Sequence, residues 1–219
     1  MVQNKKLAVV IPVYNEAKTI IKVYNQTKNI GIPVIVDDCS IDDTKKILKK
    51  KKINFISNNT NKGYEKSIKN GFRYIFRKMP FVDYIATIDA DLELPPKNIF
   101  YLYKIIKDKK LDIIVGSRTK LNRISEYILN FIFNFKFGLK DPISGLKIYK
   151  KNKLKKIFNK ISNNLFLVDI LLTSYSKKLN IAYKEIKIKK RSDMSRVGSG
   201  IKVNLKIIKI ALYCLLKKI

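Results

Sequence analysis

Three carboxylates follow an apolar run in the stretch YIATIDADLELPP, which spans residues 84–96. Asp89, Asp91 and Glu93 alternate there, although the chain as a whole has a net charge of +30. In extended backbone alternate side chains point to the same side, so this spacing predicts that the three carboxylates face one ligand together. Carboxylate oxygens suit Mg²⁺ and Mn²⁺, which commonly share their coordination with substrate phosphates. We therefore expect a metal ion that binds a phosphate-bearing substrate; the alternative is a solvated strand end.

The composition limits which other chemistry is available. The chain contains no histidine, which excludes histidine acid–base catalysis and histidine metal ligation. Cys39 and Cys214 do not have the spacing of a zinc site and favour a reducing compartment. The 219 residues, of which 46% are hydrophobic, predict one domain with a sizeable core. The 47 Lys and Arg residues form either a solvated basic surface or a surface that attracts phosphates, anionic lipid or nucleic acid.

Apolar runs alternate with amphipathic runs along residues 7–116. The apolar runs predict strands at 7–13, 33–36, 53–57, 84–88 and 113–116. The amphipathic runs predict helices at 17–29, 42–51, 64–78 and 96–109. This alternation predicts an α/β fold with a mainly parallel sheet flanked by helices. Ligands of such sheets bind beyond the carboxyl ends of the strands, and acidic residues follow three of the strands in VYNE (13–16), DDCSIDDT (37–44) and DADLE (89–93).

Eight segments, in a fixed order, resemble family 2 glycosyltransferases of the GT-A (Rossmann-like) fold. They resemble in particular the branch that includes dolichyl-phosphate mannose synthase and other polyprenyl-phosphate glycosyltransferases. The resemblance covers residues 6–200 and implies a GT-A domain at residues 1–200. The segments are VVIPVYNE, VIVDDCSIDDT, NKGYEKSIKNG, YIATIDADLELPP, IIVGSR, DPISGLKIYKK, FLVDILL and KKRSDMSRVG.

The resemblance implies a binding site for a nucleotide diphosphate sugar. It assigns the nucleotide base and ribose to Pro12, Tyr14, Glu16, Val36 and Asp38. It assigns the diphosphate and its Mg²⁺ or Mn²⁺ to Asp89, Ala90 and Asp91, with Glu93 as a third metal ligand. Arg118 in the segment GSR is expected to contact phosphate. The alternatives are that Pro12 and Tyr14 are turn and core residues and that Arg118 forms a surface ion pair.

The segment KKRSDMSRVG, residues 189–198, resembles the loop of that branch that closes over the donor and acceptor phosphates. The family pattern Arg-x-x-Gly-x-Ser-Lys places Arg196 at the Lys position. Lys190, or Arg191 after a shift of one residue, stands at the Arg position, and Asp193 replaces the Gly. We expect Arg196 to bind phosphate, because a guanidinium can contact two phosphate oxygens at once. The alternative is one more basic surface segment.

Asp141 in DPISG and Asp169 in FLVDILL match acidic positions of the family. A sugar hydroxyl acceptor needs a general base, and either carboxylate could serve. A phosphate acceptor is already anionic, in which case Asp141 orients the acceptor or the basic residues near it. For Asp169 a helix cap or a buried ion pair is an equal alternative.

The resemblance implies an inverting, metal-dependent transfer of one mannose- or glucose-type sugar from a nucleotide diphosphate sugar to a polyprenyl phosphate. One alternative is a family 2 enzyme with a saccharide acceptor in envelope or capsule glycan assembly. Another is a nucleotide-binding protein without catalysis, against which the Asp89–Asp91 pair argues. A basic nucleic-acid-binding module is the third, but helix-turn-helix, zinc and RNA-binding aromatic signatures are absent. We expect no nucleic acid partner.

The tail IKVNLKIIKIALYCLLKKI, residues 201–219, predicts an amphipathic helix that lies on a membrane. Lysines occupy one stripe (Lys202, Lys206, Lys209), and apolar residues another (Ile201, Leu205, Ile208, Leu212, Leu215). Residues 121–138 have a similar polar stripe (Asn122, Glu126, Asn130, Asn134) beside a phenylalanine-rich face. We expect a cytoplasmic protein that is peripheral on an anionic membrane face. The alternative is that both helices pack on the domain core.

Overall fold

The computed structural model describes residues 6–161, 165–188 and 201–216, which form one sheet with helices on both faces. The strands are β1 (Leu7–Val13), β2 (Ile32–Asp37), β3 (Phe55–Ser57), β4 (Tyr84–Thr87), β5 (Ile113–Arg118), β6 (Lys147–Lys150) and β7 (Ile181–Ile186). The helices are α1 (Ile20–Lys28), α2 (Thr44–Lys50), α3 (Tyr64–Lys78), α4 (Lys97–Asp108), α5 (Ile124–Phe137), α6 (Lys151–Phe158), α7 (Phe166–Ser176) and α8 (Ile201–Leu216).

The sheet has the strand order β3-β2-β1-β4-β6-β5-β7. β6 runs antiparallel to both β4 and β5, whereas the other neighbouring strands are parallel. The predicted α/β fold, with a mainly parallel sheet flanked by helices and a C-terminal helix, is confirmed. All five predicted strands and all four helices predicted between residues 17 and 109 are present. Strands β6 and β7 and helices α6 and α7 were not predicted.

The core lies on both faces of the sheet, as β1 illustrates. Leu7, Val9 and Ile11 pack with apolar residues of α1, α2 and α4 on one face. Ala8 and Val10 pack with residues of α3 and α5–α8 on the other. Both sets are buried because alternate strand residues point to opposite faces. Because β1, β2 and β4 are parallel, their carboxyl ends meet at one rim, where the predicted acidic loops begin.

Most predicted boundaries shift by one to three residues, and three of these shifts have a local reason. The strand predicted at 53–57 begins at Phe55, because the Ile53 N–H donates to Leu48 O and closes α2. The helix predicted at 17–29 begins at Ile20, after a turn in which Glu16 O accepts the N–H of Thr19. The strand predicted at 84–88 ends at Thr87, where pairing with β1 stops.

Helix α8 packs along α5 and contributes to the hydrophobic core. Ile207, Ile210, Ala211 and Cys214 are buried in that core, so the described part of the 201–219 segment packs on the domain. The apolar stripe that was predicted for this helix, which includes Leu205, stays exposed instead. None of the helices in the described residues combines the length and the hydropathy needed to cross a membrane.

Candidate active site

Hydrogen bonds join the loops that follow β1 and β2. Asn15, at φ 56°, donates its backbone N–H to Ser40 Oγ at 3.0 Å, and its Oδ1 accepts the N–H of Ile41 at 2.9 Å. The Glu16 N–H donates to Thr44 Oγ1 at 2.9 Å. The segments VYNE and DDCSIDDT therefore form one rigid wall at the rim of the sheet.

The residues assigned to the nucleotide differ in how far their side chains can reach it. Val36 is fully buried in the core, and Pro12 is buried within β1. Glu16 is buried, and its Oε2 accepts the Thr19 hydroxyl at 2.7 Å. Tyr14 is half-buried at the rim. Of these four residues, only Tyr14 is partly exposed at the rim, while the other three are buried in the wall.

Asp38 holds the segment that leads into α3. Its Oδ1 accepts the Asn58 side-chain amide and the Lys62 N–H, each at 2.8 Å, and its Oδ2 accepts the Gly63 N–H at 2.7 Å. Gly63 has φ 87°, a conformation that residues with a Cβ adopt only with strain. The buried carboxylate thus fixes the position at which α3 starts, immediately before Tyr64.

Tyr64 connects this wall to the DADLE segment. Its hydroxyl donates to Asp89 Oδ1 at 2.5 Å. The backbone at Gly145 also packs against this carboxylate, since a Cβ added there would lie 2.0 Å from Asp89 Oδ2. Asp89 is therefore held between a tyrosine hydroxyl and bare backbone. Sequence reasoning missed both contacts, because they join residues 25 and 56 positions away along the chain.

The DADLE segment is a turn, which corrects the prediction of an extended backbone. The chain turns over residues 90–94, and Leu92 has φ 65°. Asp91 Oδ1 accepts the N–H of Glu93 at 2.9 Å, and Glu93 Oε1 accepts the Asn122 side-chain amide at 3.1 Å. In the part of the chain that the structure describes, no three aspartate, glutamate or cysteine side chains are gathered as a site for one ion.

Asp89 and Asp91 still form a place that suits a cation. Burial, and then the charge of Asp91, raise the pKa of Asp89 to about 6. A nearby positive charge would relieve both effects, because it favours the ionised carboxylate. The two carboxylates would hold one divalent ion that shares its coordination with substrate oxygens and water.

Arg118 and Asp141 form a buried ion pair at the end of β5. The backbone N–H and Nε of Arg118 donate to Asp141 Oδ2 at 2.9 and 2.8 Å, and Nη2 donates to Oδ1 at 2.9 Å. Burial by itself lowers the pKa of Arg118, but Asp141, together with the charges of Glu126 and Glu93, more than offsets this and raises it. Asp141, at φ 51°, also donates its own N–H to Asn130 Oδ1 at 2.7 Å.

Helix α5 supports this pair through its polar stripe. Glu126 is buried and lies 3.4 Å from Arg118 Nη1, while its other oxygen accepts from Arg123 at 2.7 Å. Glu126 and Asn130 of the predicted polar stripe therefore face the site. Sequence reasoning identified the stripe but not this role.

Lys147 lies under the site and was also missed. Its side chain is fully buried, and its ammonium donates to Ser144 O. Burial lowers the pKa of Lys147 to about 8, against the opposing charges of Asp141 and Asp89. A positive charge at this depth partly balances the carboxylates above it.

Two further predictions fall elsewhere. Lys190, Arg191 and Arg196 lie outside the described residues. Asp169 is buried on α7 and accepts the Tyr213 hydroxyl of α8 at 2.9 Å. This contact ties α7 to α8 and gives Asp169 a structural partner.

The profile described as Glycosyl transferase family 2 matches residues 8–164. The chain belongs to this family. The predicted membership and the predicted enzyme class, glycosyltransferase, are thereby confirmed.

Two relatives of this family 2 chain match it over nearly its whole length. An uncharacterized protein of Methanocaldococcus jannaschii is 28% identical over 227 residues, which cover 94% of this chain and 93% of that protein. The UDP-N-acetylglucosamine–dolichyl-phosphate N-acetylglucosaminyltransferase of Methanococcus voltae is 28% identical over 239 residues, which cover 93% of this chain and 94% of that protein.

Solved structures of glucosyl-3-phosphoglycerate synthase from Mycobacterium tuberculosis share the fold of this family 2 chain. The complex with Mn²⁺ and UDP-glucose has a TM-score of 0.72 at 15% identity, over 97% of this chain and 78% of that one. At this identity the likeness shows the fold alone.

Proposed function

We propose that this enzyme transfers one hexose from a nucleotide diphosphate sugar to a polyprenyl phosphate, with inversion and with Mg²⁺ or Mn²⁺. Such an acceptor would place the protein at the cytoplasmic face of a membrane. The Methanococcus voltae relative, by its name, acts on dolichyl phosphate, and the Mycobacterium tuberculosis glucosyl-3-phosphoglycerate synthase was solved with Mn²⁺ and UDP-glucose.

The observation that favours a phosphate acceptor is the state of Asp141. Its carboxylate accepts three hydrogen bonds from Arg118, which engage both of its oxygens, so it is not placed as a free base for a sugar hydroxyl. A sugar hydroxyl would need such a base, whereas a phosphate monoester would not. Asp141 therefore orients Arg118, as expected for the phosphate-acceptor alternative. The saccharide acceptor loses its candidate base at this position.

The donor would lie along the rim of the sheet. Tyr14 would face the base, Asp89 and Asp91 would hold the divalent ion, and Arg118 would add positive charge near the phosphates. When bound, the ion supplies charge that stabilises the departing diphosphate. Arg196, with Lys190 or Arg191, is assigned to the same phosphates.

The transfer itself is a single displacement at the anomeric carbon. An oxygen of the acceptor phosphate attacks from the face opposite the diphosphate. The new carbon–oxygen bond forms as the bond to the diphosphate breaks, and the nucleoside diphosphate leaves with the bonding electrons. Tyr64 and Gly145 contribute by fixing the carboxylate of Asp89 in place.

A screen of donors and acceptors tests this proposal. Purified protein with Mn²⁺ is offered UDP-glucose, UDP-N-acetylglucosamine or GDP-mannose together with a short polyprenyl phosphate, 3-phosphoglycerate or an oligosaccharide, and products are identified by mass spectrometry. We expect a polyprenyl phosphate that has gained one sugar. Transfer to 3-phosphoglycerate or to the oligosaccharide instead would overturn the acceptor assignment.

Two aspartate variants provide the matched control for that screen. Asp91→Asn should lower turnover at least ~100-fold, as removal of one preorganised electrostatic group does. Asp83→Asn should leave turnover unchanged, because Asp83 is exposed at the amino end of β4 and pairs with Lys6. Equal activity of the two variants would remove the support for the metal assignment.

A further inference from the structure

Helices α5 and α8 expose most of the large hydrophobic side chains on the described surface. The most exposed aromatic residues are both on α5, with Phe131 at 72% and Phe135 at 84%, and their rings stack 6.4 Å apart. On α8, Leu205, Leu212 and Leu215 are each about half exposed. A monomeric protein rarely leaves so many apolar groups in water on neighbouring elements without a use for them.

The two helices run side by side in the same direction. Near their amino ends, Ser125 Oγ donates to Asn204 Oδ1 at 2.6 Å. Near their carboxyl ends, Lys136 Nζ donates to the backbone oxygens of Cys214 and Leu215 at 3.0 and 2.7 Å. At both ends of the pair, the contacting residues are 78 or 79 positions apart in sequence, so the helices are parallel over their length.

The apolar stripes of the pair join into one surface. On α5 the exposed residues recur at 124, 128, 131 and 135, and on α8 at 201, 205, 208, 212 and 215, which is the spacing of one helix face. The opposite faces are buried in the core, at Leu129 and Phe133 and at Ile207 and Ala211. Both stripes therefore point outward, and we call their union the α5–α8 surface, defined by Ile124, Phe131, Phe135, Leu205, Leu212 and Leu215.

Charge indicates what covers this surface. Lys206 and Lys209 are exposed on α8, beside the apolar stripe and on the side of the helix that faces away from α5. A second copy of the chain would bring these lysines, and two net charges of +30, close together. An anionic membrane suits both the apolar stripes and the lysines, because its acyl boundary accommodates the apolar side chains and its headgroups attract the lysines.

The inner face of α5 carries residues that support the site. Glu126 lies 3.4 Å from the Arg118 guanidinium, and Asn130 Oδ1 accepts the Asp141 N–H. The α5–α8 surface and the Arg118–Asp141 pair are therefore on two sides of one helix. A bilayer in contact with the outer side would have its headgroups roughly one helix diameter, about 10 Å, from this pair.

We propose that the α5–α8 surface docks on an anionic membrane, with its apolar side chains at the acyl boundary, and that α5 thereby sets the site beside the phosphate of a lipid-linked acceptor. The second part rests on the proposed function. The docking surface belongs to two helices, of which α8 is also a core element, so it cannot be removed by truncating the tail without exposing that core.

Flotation with vesicles tests the docking surface. The vesicles are phosphatidylcholine with or without phosphatidylglycerol, and the variants are Phe131→Ser/Phe135→Ser and the control Phe81→Ser/Tyr101→Ser, whose side chains are exposed elsewhere. We expect the α5 double variant to bind the anionic vesicles at least about tenfold more weakly than wild type. The control should bind as wild type does, and both should keep the wild-type melting temperature. Lys206→Glu/Lys209→Glu should weaken binding to the anionic vesicles alone.

Other outcomes separate the two proposals. Equal flotation of wild type and the α5 double variant would overturn the docking surface. The docking surface would also be overturned if the wild type were a dimer in gel filtration that does not bind vesicles and the double variant were a monomer, because the surface would then join two copies. If flotation depends on Phe131 and Phe135 but no polyprenyl phosphate is glycosylated, the docking surface stands and the proposed acceptor fails. If the acceptor is correct, the double variant should lose activity on vesicle-embedded polyprenyl phosphate and keep it on a short soluble one.

Discussion

Gly145→Ala should disable the enzyme through a contact that only the folded chain reveals. The added Cβ would lie 2.0 Å from Asp89 Oδ2 and 2.4 Å from Asp89 Cγ, whereas side-chain carbons essentially never approach other atoms closer than 3.0 Å. The carboxylate must therefore retreat by about 1 Å or more. A misplacement of that size costs roughly 100-fold in rate, equivalent to about 2.7 kcal/mol of transition-state stabilisation.

The same displacement should break the hydrogen bond between Tyr64 and Asp89, which measures 2.5 Å. A hydrogen bond to a charged group contributes about 1.5–3 kcal/mol. For a chain of this size the melting temperature should fall by roughly 3–12 °C. We expect turnover, measured by sugar transfer, and Mn²⁺ affinity, measured by calorimetry, to fall together while the circular dichroism spectrum stays native.

Two controls isolate the contact. In an Asp89→Ala background the clash has no partner, so Gly145→Ala should cost nothing further in transfer or Mn²⁺ binding. Gly138→Ala introduces the same methyl group at φ 63°, with no atom within 4 Å. It should lower stability by about 1–2 kcal/mol without changing Mn²⁺ affinity. Turnover of Gly145→Ala within threefold of wild type, or equal losses in the Asp89→Ala background, would refute the reasoning.

Three further predictions concern the same site. Because Asp89 has a pKa of about 6, Mn²⁺ affinity by calorimetry should be level above pH 7 and fall about tenfold per pH unit well below 6. This pKa lies above the usual value near 4, so the Asp89 carboxyl stabilises the fold below pH 4 and loses that effect as the pH rises through 6. Without metal, the melting temperature of the wild type should therefore decline over this window, and that of Asp89→Asn should decline less. Identical pH profiles of the two proteins would contradict the assignment. Tyr64→Phe should lower kcat by about 10- to 100-fold with little change in the acceptor KM, and an effect confined to melting temperature would make Tyr64 purely structural. Arg118→Lys should lose about 1–3 kcal/mol of unfolding free energy in urea, because an ammonium cannot bind both Asp141 oxygens; an unchanged midpoint would show that the pairing does not stabilise the protein.

The amino-acid sequence alone determined the elements whose signal is local. The continuous apolar run of β1 and the amphipathic pattern of α3 predicted both segments to the residue, because these signals lie within each segment. The acidic loops after β1, β2 and β4 were also predicted at one rim, since parallel strands end on the same side. These inferences need only neighbours in the chain.

Tertiary structure decided which strands pair and which atoms meet. The antiparallel insertion of β6 between β4 and β5 brings Gly145 against Asp89 and buries Lys147, and pairing across more than 30 residues leaves no periodic mark in the sequence. The turn at Leu92 replaced the predicted extended carboxylates, because Asp91 bonds to the backbone of Glu93. Helix α8 has two apolar faces, and packing against α5 selected the one with Ile207 for the core and left the one with Leu205 outside. A helix pattern shows that a face is apolar, but its partner is decided by the surfaces that the rest of the fold leaves open.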